Sequence, residues 1–196
     1  MRSTRATLLV IVLAGLTAGC LSVKSYVDPQ LPKVGYGDLL PRRELRPAAL
    51  TVAFQRNGEP SSLGTPRARD EVRAVFEKSK LFSAVTEKAT DDADRFDIVL
   101  DNRGDVGDAM AKGFVTGLTF GGAGSRVTDG YVFTVKFQKA GAEPLTKVYR
   151  HALHSTIGNA DGPPGLVPMS IGDAFGKVVE ELVLNLLLDL QKEERL

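Results

Sequence analysis

The sequence predicts an α+β fold, in which two main helices pack on one face of a mostly antiparallel sheet as an α/β sandwich. The predicted elements follow the order strand, helix, strand, strand, hairpin, helix, and this order implies the sandwich. The clearest hairpin and the longest apolar stripe both lie in the second half of the chain. Because no internal repeat or second domain boundary is visible, we expect residues 48–196 to form a single α+β domain.

The first predicted strand covers 48–56, where apolar side chains alternate with polar ones. A loop is predicted at 57–64. The following helix is predicted to start with Thr65 as its N-cap and Pro66 as its first helical residue, and to end near Lys80. Its apolar residues recur at helical spacing and are Ala68, Val72, Val75 and Phe76. This spacing predicts a surface helix packed on a sheet.

Further strands are predicted at 84–87 and 96–101, the second with three large apolar residues on one face. Residues 131–139 alternate between aromatic or aliphatic and polar side chains, and a turn at 140–144 leads to a return strand at 145–157. We therefore expect an antiparallel hairpin there.

The last predicted helix opens with Ser170 and Asp173, which have the spacing of a capping box. Six apolar residues then form a long stripe: Phe175, Val178, Val179, Leu182, Leu186 and Leu190. The stripe is wider than a solvent-facing helix needs, so this helix is predicted to pack in the core.

Charge is balanced along the chain, with 25 basic and 24 acidic residues and a formal net charge of +1. A nucleic-acid-binding protein would normally present a basic face, so no nucleic-acid partner is expected. Hydrophobic residues make up 43% of the sequence, which is ordinary for a globular protein.

The N-terminal stretch has the layout of a secretory signal peptide. Arg2 and Arg5 precede an unbroken apolar run at 6–16, and small residues lead from that run to Cys20. As a helix the run would rise about 16 Å, roughly half the hydrocarbon core of a bilayer, so it is too short for a permanent transmembrane helix. We expect 1–19 to be a signal peptide.

The segment Leu16-Thr17-Ala18-Gly19-Cys20 resembles the lipobox of bacterial lipoproteins, although Thr17 stands where leucine is commonest. The resemblance implies that Cys20 receives a diacylglyceryl lipid, that cleavage occurs before it, and that the chain is held to a membrane through this lipid. The alternative is an ordinary cleaved signal peptide followed by an incidental cysteine. Cys20 is the single cysteine and cannot form an internal disulfide.

The residues after the cysteine bear on which membrane holds the chain. In lipoproteins of two-membrane bacteria, an aspartate after the cysteine usually retains the protein in the inner membrane. Here Leu21 and Ser22 follow, and the first aspartate is Asp28. The resemblance therefore implies the periplasmic face of the outer membrane.

Residues 20–47 are predicted to be a lipidated tether, because four prolines and two glycines interrupt any periodic pattern. The tether carries a basic cluster, Arg42, Arg43 and Arg46. These side chains either contact anionic lipid headgroups or belong to a solvated linker.

No metal or cofactor site is predicted. Asp91, Asp92 and Asp94 lack the spacing, glycine and distal glutamate of a calcium loop and are interpreted as a solvated turn. His151 and His154 are three apart on a predicted strand, which places them on opposite faces and makes them poor co-ligands for one metal. No catalytic residue is assigned.

The segment 113–124 is apolar and glycine-rich, and it lacks the Lys-Ser/Thr that follows a phosphate-binding loop. Because glycine weakens both helix and strand interiors, the segment is a candidate interaction element. The alternative is a buried arm that lets the sheet and the last helix pack closely. The candidate interaction residues are Gly113, Phe114, Leu118 and Phe120.

Residues 70–85, a helix followed by Leu-Phe and a short strand, resemble a pattern in periplasmic assembly proteins. These include the N-terminal domain of the Tol-system translocation protein and the curli-secretion lipoprotein, and the resemblance implies a scaffold or envelope-assembly role. Two hypotheses follow: a non-catalytic outer-membrane lipoprotein that docks onto an envelope protein partner, or an envelope hydrolase whose site is assembled from scattered residues. Convergent polar groups around a histidine would favour the hydrolase, and an exposed apolar patch would favour docking.

Overall fold

A computed structural model of the chain describes residues 23–105 and 125–196. The strands are β1 (Val23–Val27), β2 (Ala48–Arg56), β3 (Glu59–Pro60), β4 (Val85–Thr86), β5 (Asp94–Arg103), β6 (Ser125–Gln138) and β7 (Leu145–Ile157). The helices are α1 (Gly64–Ser79) and α2 (Ile171–Lys192), with a 3₁₀ turn at Tyr36–Asp38.

The seven strands form one mixed sheet in the order β1-β7-β6-β5-β2-β3, and β4 pairs with β2 off this path. Strands β2 and β5 are parallel, as are β2 and β4, and the remaining pairs are antiparallel. Both helices pack on one face of this sheet. The predicted α+β class is confirmed.

The core lies between that face and the helices. Register places Leu50 of β2 beside Phe96 of β5, and Phe96 beside Phe137 of β6. Phe96 in turn contacts the ring of Phe76 on α1 edge-on, with centroids 4.8 Å apart. Along β2, β5 and the first half of β7 these positions alternate with exposed polar residues such as Asp97, so the opposite face of the sheet is open to water there.

Residues 23–47 are part of the domain rather than a free linker, which corrects the tether predicted over 20–47. Strand β1 pairs antiparallel with β7 along its whole length. Beyond β1, Val34 and Leu39 are buried in the core. The prolines of 29–47 interrupt any periodic pattern there, but the five residues of β1 precede the first of them, Pro29, and pair with the edge of the long strand β7.

The start of α1 also differs from the prediction. The helix begins at Gly64, and its N-cap is Leu63, which makes no side-chain capping hydrogen bond. Thr65 instead uses its hydroxyl to accept a hydrogen bond from the backbone N–H of Phe54 at 3.0 Å and to donate to the carbonyl of Ser61 at 2.8 Å. Thr65 therefore ties the helix to β2 rather than capping it.

The predicted loop at 57–64 contains the short strand β3. Asn57 and Gly58 form the turn before it, both with positive φ, as a two-residue hairpin turn requires.

The structure of the second half of the chain agrees closely with the prediction from its sequence. The β6–β7 hairpin is confirmed, and β6 starts six residues before the predicted boundary, at Ser125. The hydroxyl of Ser170 accepts a hydrogen bond from the backbone N–H of Asp173 at 3.1 Å, as the capping box predicts. Helix α2 is buried along its stripe, including Leu182 and Leu186.

Neither helix in the described parts of the chain combines the length and apolar character that crossing a bilayer requires.

Candidate functional site

The beginning of β1, the end of β7 and the beginning of β6 lie side by side. Val23 pairs with Ile157, and Ile157 pairs with Ser125. We call this region, residues 23–28, 125–129 and 153–171, the proximal end. Cys20 lies outside the described residues, but only three peptide units separate it from Val23 and these span at most about 10 Å.

Four large aliphatic side chains are exposed at the proximal end. Val23 is 46% exposed and Val127 is 47% exposed, and their register places them on the same face of the sheet, with Ile157 between them. Val167 is 73% exposed and Ile171 is 58% exposed. We call these four residues, together with the half-buried Ile157, the proximal patch.

The segment 158–169 brings the last two members of the patch to β1. Met169 and Ser25 exchange backbone hydrogen bonds of 2.9 and 3.0 Å along the outer edge of β1. Val167 and Ile171 stand two residues to either side of Met169, and because the bridge is antiparallel, Ile171, the first residue of α2, lies toward the Val23 end of β1 and Val167 toward the Val27 end. The same segment crosses the ring of Tyr26 at Gly162, where a Cβ atom would overlap the ring.

A buried polar line runs from β6 through β7 to Asp28, the residue just beyond β1, at the proximal end. His154 on β7 contacts the hydroxyl of Thr128 on β6 through Nδ1, at 3.0 Å, and the carboxylate of Asp28 through Nε2, also at 3.0 Å. Asp28 is fully buried, and its second oxygen accepts the backbone N–H of Gln30 at 2.8 Å. The line fastens the chain just beyond β1 to the hairpin.

His151 belongs to a different environment on the other face of the same strand. Its Nε2 lies 2.9 Å from a carboxylate oxygen of Glu181 on α2, and the histidine side chain is completely buried. Its Nδ1 has no hydrogen-bond partner among the described residues. The prediction that the two histidines face opposite ways is confirmed.

In the described ranges, 23–105 and 125–196, no group of three or more His, Cys, Asp or Glu side chains is arranged to hold a metal ion.

The other end of the β6–β7 hairpin holds a buried ion pair. Arg42 Nη2 lies 2.9 Å from Asp94 Oδ2, and the two side chains are 6% and 0% exposed. The guanidinium also lies over the ring of Phe82, 5.4 Å from its centroid. Asp94 is therefore not part of a solvated turn, and Arg42 is neither a linker residue nor a headgroup contact, which corrects both interpretations.

The remaining basic residues of that cluster surround a cavity of about 370 Å³. Its lining includes Leu40, Arg43, Arg46, Lys139 and Leu196. We call this region the distal end. Strand β6 runs 14 residues from the proximal to the distal end, a length of about 40 Å at the usual rise per residue.

A groove of about 350 Å³ lies between the two helices and contains a charged network. Lys78 Nζ sits over the ring of Tyr36, 4.2 Å from its centroid. Burial, together with the hydrogen bond and charge of Glu180, raises the pKa of Tyr36 well above its ordinary value. Burial alone would raise the pKa of Glu180, but hydrogen bonds from Lys177, Tyr36 and Lys78 outweigh it and lower that pKa.

A wider groove of about 880 Å³ opens beside the β2–β3 turn. Phe54 and Phe175 line it and contact each other edge-on, with centroids 6.2 Å apart. Leu63 at its rim is 93% exposed. Neither histidine lines this groove or the two cavities above.

The residues singled out from the sequence as candidate sites lie outside the described residues. They are Cys20, Gly113, Phe114, Leu118 and Phe120. Their neighbours in sequence are described: Val23 and Ser125 stand at the proximal end, so both segments join the sheet there.

Sequence reasoning missed the Thr128–His154–Asp28 line and the proximal patch. One feature of the sequence could have indicated that Asp28 is buried. It lies directly before Pro29, at the end of the short stretch VKSYV, which contains β-branched and aromatic residues typical of a strand. No local signal indicated the patch, because its members are spread over 149 positions, from Val23 to Ile171, and come together through strand register and the Met169–Ser25 bridge.

Several solved structures are similar to this chain. A minor lipoprotein from Acinetobacter baumannii is 7% identical, with 76% of this chain and 94% of that chain covered and a TM-score of 0.40. A protein from Xanthomonas campestris, assigned to the family model DUF330, is 12% identical, with 89% and 97% covered and a TM-score of 0.43. The PelC dodecamer from Paraburkholderia phytofirmans is 9% identical, with 83% and 96% covered and a TM-score of 0.35.

No protein-family model matches the chain, and no curated protein matches its sequence.

Proposed function

We propose that this chain is a lipid-anchored protein of the bacterial envelope, held at the periplasmic face of the outer membrane through Cys20, with a non-catalytic docking or assembly role. The observation that carries the proposal is the lipobox-like sequence ending at Cys20, followed almost at once by β1. A lipid on this residue attaches the folded domain without an intervening linker. Two or three acyl chains on one residue would hold far more firmly than a single chain, which binds only marginally.

Support for the outer membrane comes from the residues behind the cysteine, Leu21 and Ser22, neither of which is the aspartate that retains lipoproteins in the inner membrane. The likeness of residues 70–85 to periplasmic assembly proteins supports an envelope-assembly role.

Docking is supported over catalysis by the surroundings of the two histidines. Both are buried against carboxylates, and neither lines one of the three cavities described above. Exposed apolar side chains, by contrast, stand at the proximal end and at Leu63. The segment 113–124, with Gly113, Phe114, Leu118 and Phe120, remains the proposed contact with an envelope protein partner.

The anchor is tested by replacing its attachment point. Cys20→Ala should release the protein from the membrane fraction or leave the signal peptide uncleaved, and mass spectrometry of the wild-type N-terminus should find a lipidated cysteine. An unmodified thiol would contradict the proposal. Sucrose-gradient separation of the two membranes then tests the location, which a predominantly inner-membrane band would contradict.

The partner contact is tested with a charge in the glycine-rich segment. Leu118→Glu should leave the fold intact and abolish co-purification of the partner from detergent-solubilised envelopes, while the neighbouring Thr119→Glu serves as the control. An unfolded Leu118→Glu variant would favour the buried-arm alternative, because an unpaired carboxylate in an apolar core is costly. A folded variant that keeps every partner would rule the contact out.

A hydrolase is the second candidate, and the Thr128–His154–Asp28 line is the observation in its favour. A hydroxyl, an imidazole and a carboxylate lie in series at 3.0 Å each, the connectivity that nucleophilic catalysis uses. Hydrolysis of short-chain nitrophenyl esters by the purified domain, lost in Thr128→Val, would support it. Equal rates in both proteins would leave the line with a purely structural role.

A further inference from the structure

We propose that the proximal patch rests on the bilayer that holds the lipid of Cys20, so that the proximal end faces the membrane and the distal end faces away from it. This inference depends on the proposed lipidation. It assigns the domain an orientation on the membrane, and it adds a second contact with lipid that is made by protein side chains.

The short connection restricts where the domain can sit. Cys20 lies at the membrane interface when lipidated, and Val23 follows within about 10 Å. Because Val23 is fixed in β1 and pairs with Ile157 of β7, which in turn pairs with Ser125 of β6, the edge of the sheet formed by these three residues is held close to the membrane interface. A mobile linker of twenty residues would impose no such restriction.

The chemistry of the patch fits this position. Its side chains are all aliphatic, and three strands and the start of α2 contribute to it. A small aliphatic surface of this kind inserts into the boundary between headgroups and acyl chains. Arg126, the cation beside Val127, is exposed and donates through Nε to the carbonyl of Asp161 at 2.9 Å.

Other exposed apolar residues lack this connection to the anchor. Leu40 is 70% exposed and Leu45 is 49% exposed, but both stand at the distal end among arginines. The distal end is about 40 Å from the proximal end along β6, beyond the reach of headgroups in this orientation. The distal cavity then faces the aqueous periplasm.

A pair of environment-sensitive probes tests the orientation on the full lipidated protein in phosphatidylethanolamine–phosphatidylglycerol vesicles. Cys20 is the single cysteine and its sulfur carries the lipid, so Val167→Cys can be labelled selectively, and Leu40→Cys is the matched control of nearly equal exposure. We expect the probe at position 167 to shift to the blue and to be quenched by nitroxide-bearing lipid. The probe at position 40 should show neither change.

Two results would overturn the inference: equal quenching at both positions, or no quenching at position 167 in protein that floats with the vesicles. Flotation itself reports on the lipid anchor, so loss of flotation would contradict the proposed function rather than the orientation alone. As a second variant, Val23→Glu in the probe-labelled protein should keep flotation and abolish the quenching at position 167. Unchanged quenching in that variant would show that the patch does not contribute, and would also overturn the inference.

Discussion

The two ends of the β6–β7 hairpin satisfy their buried polar groups in different ways. At the proximal end, the hydroxyls of Ser25 and Ser155 pair with each other at 2.9 Å, and His154 bridges Thr128 and Asp28. At this end the exposed surface includes a cluster of aliphatic side chains.

The distal end relies on charge. Arg42 and Asp94 form a buried ion pair, and further cations, Arg43 and Lys139, line the cavity beside it. The surfaces differ as well. Aliphatic side chains are exposed at the proximal end, whereas the distal cavity is lined by Arg43, Arg46 and Lys139 together with Glu44 and Leu40.

Helix α2 connects the two ends. It starts next to Met169, which is bonded to β1, and near its end Gln191 exchanges hydrogen bonds with the backbone of Leu40. Variants that change one end, or the helix between the ends, therefore test whether the two ends unfold independently.

The largest effect is expected from breaking the distal ion pair. Arg42→Ala leaves Asp94 buried without its counter-ion, and removing one partner of a buried pair costs about 3–5 kcal/mol. Urea denaturation measures the loss. The exposed neighbour Arg43→Ala is the control and should change stability by no more than about 0.5 kcal/mol. Equal, small losses in both variants would show that the pair is not intact in solution.

Truncating the connecting helix should weaken both ends together. Leu182 is fully buried, and Leu182→Ala is expected to cost about 2–5 kcal/mol through lost burial and the cavity left behind. Thermal denaturation should show a clear decrease in Tm, and hydrogen exchange should accelerate in β1 and in β5 alike. The control is Val148→Ala, on the open face of the sheet. Acceleration confined to one end would contradict the shared core.

Loosening the proximal end alone should have a smaller and local effect. Asp28→Ala removes the acceptor of His154 and of the Gln30 N–H, and a buried group left without its hydrogen bond costs about 1–3 kcal/mol. Amide exchange should accelerate in β1 while the amides around Asp94 keep their protection. Asp97→Ala, an exposed carboxylate of β5, is the control. Loss of protection at both ends would mean that they unfold as one unit.

The smallest effect is expected from the charged network between the helices. The pKa of Glu180 is lower in the folded protein than in the unfolded chain, so its contribution to stability is present above the unfolded value of about 4.3 and is lost as pH falls through the lower folded value. Glu180→Gln should therefore reduce stability slightly at neutral pH and make it less dependent on pH on the acid side. Denaturation between pH 7 and pH 3 measures this, with the exposed Glu59→Gln as the control. An acid response as steep as that of the wild type would contradict the role of Glu180.

Local sequence pattern was sufficient for the elements whose signal lies within a few residues. The alternation in 131–139 and 145–157 identified the hairpin, and Ser170 with Asp173 identified the start of α2. The period of two along a strand also placed His151 and His154 on opposite faces. The carboxylate partner of each histidine did not follow from that pattern, because Glu181 and Asp28 lie 30 and 126 residues away.

The sequence by itself determined the α+β class, the hairpin, the cap of α2 and the lipobox-like segment at Cys20, because each depends on neighbouring residues. The tertiary structure decided that 23–47 joins the domain, that Arg42 neutralises Asp94, and that aliphatic side chains from β1, β6 and the start of α2 meet at one end. Those features depend on which strands pair and in what register. Pairing between strands that are distant in sequence is decided by packing over the whole core, whereas a local stretch of sequence specifies only which of its own residues share a face.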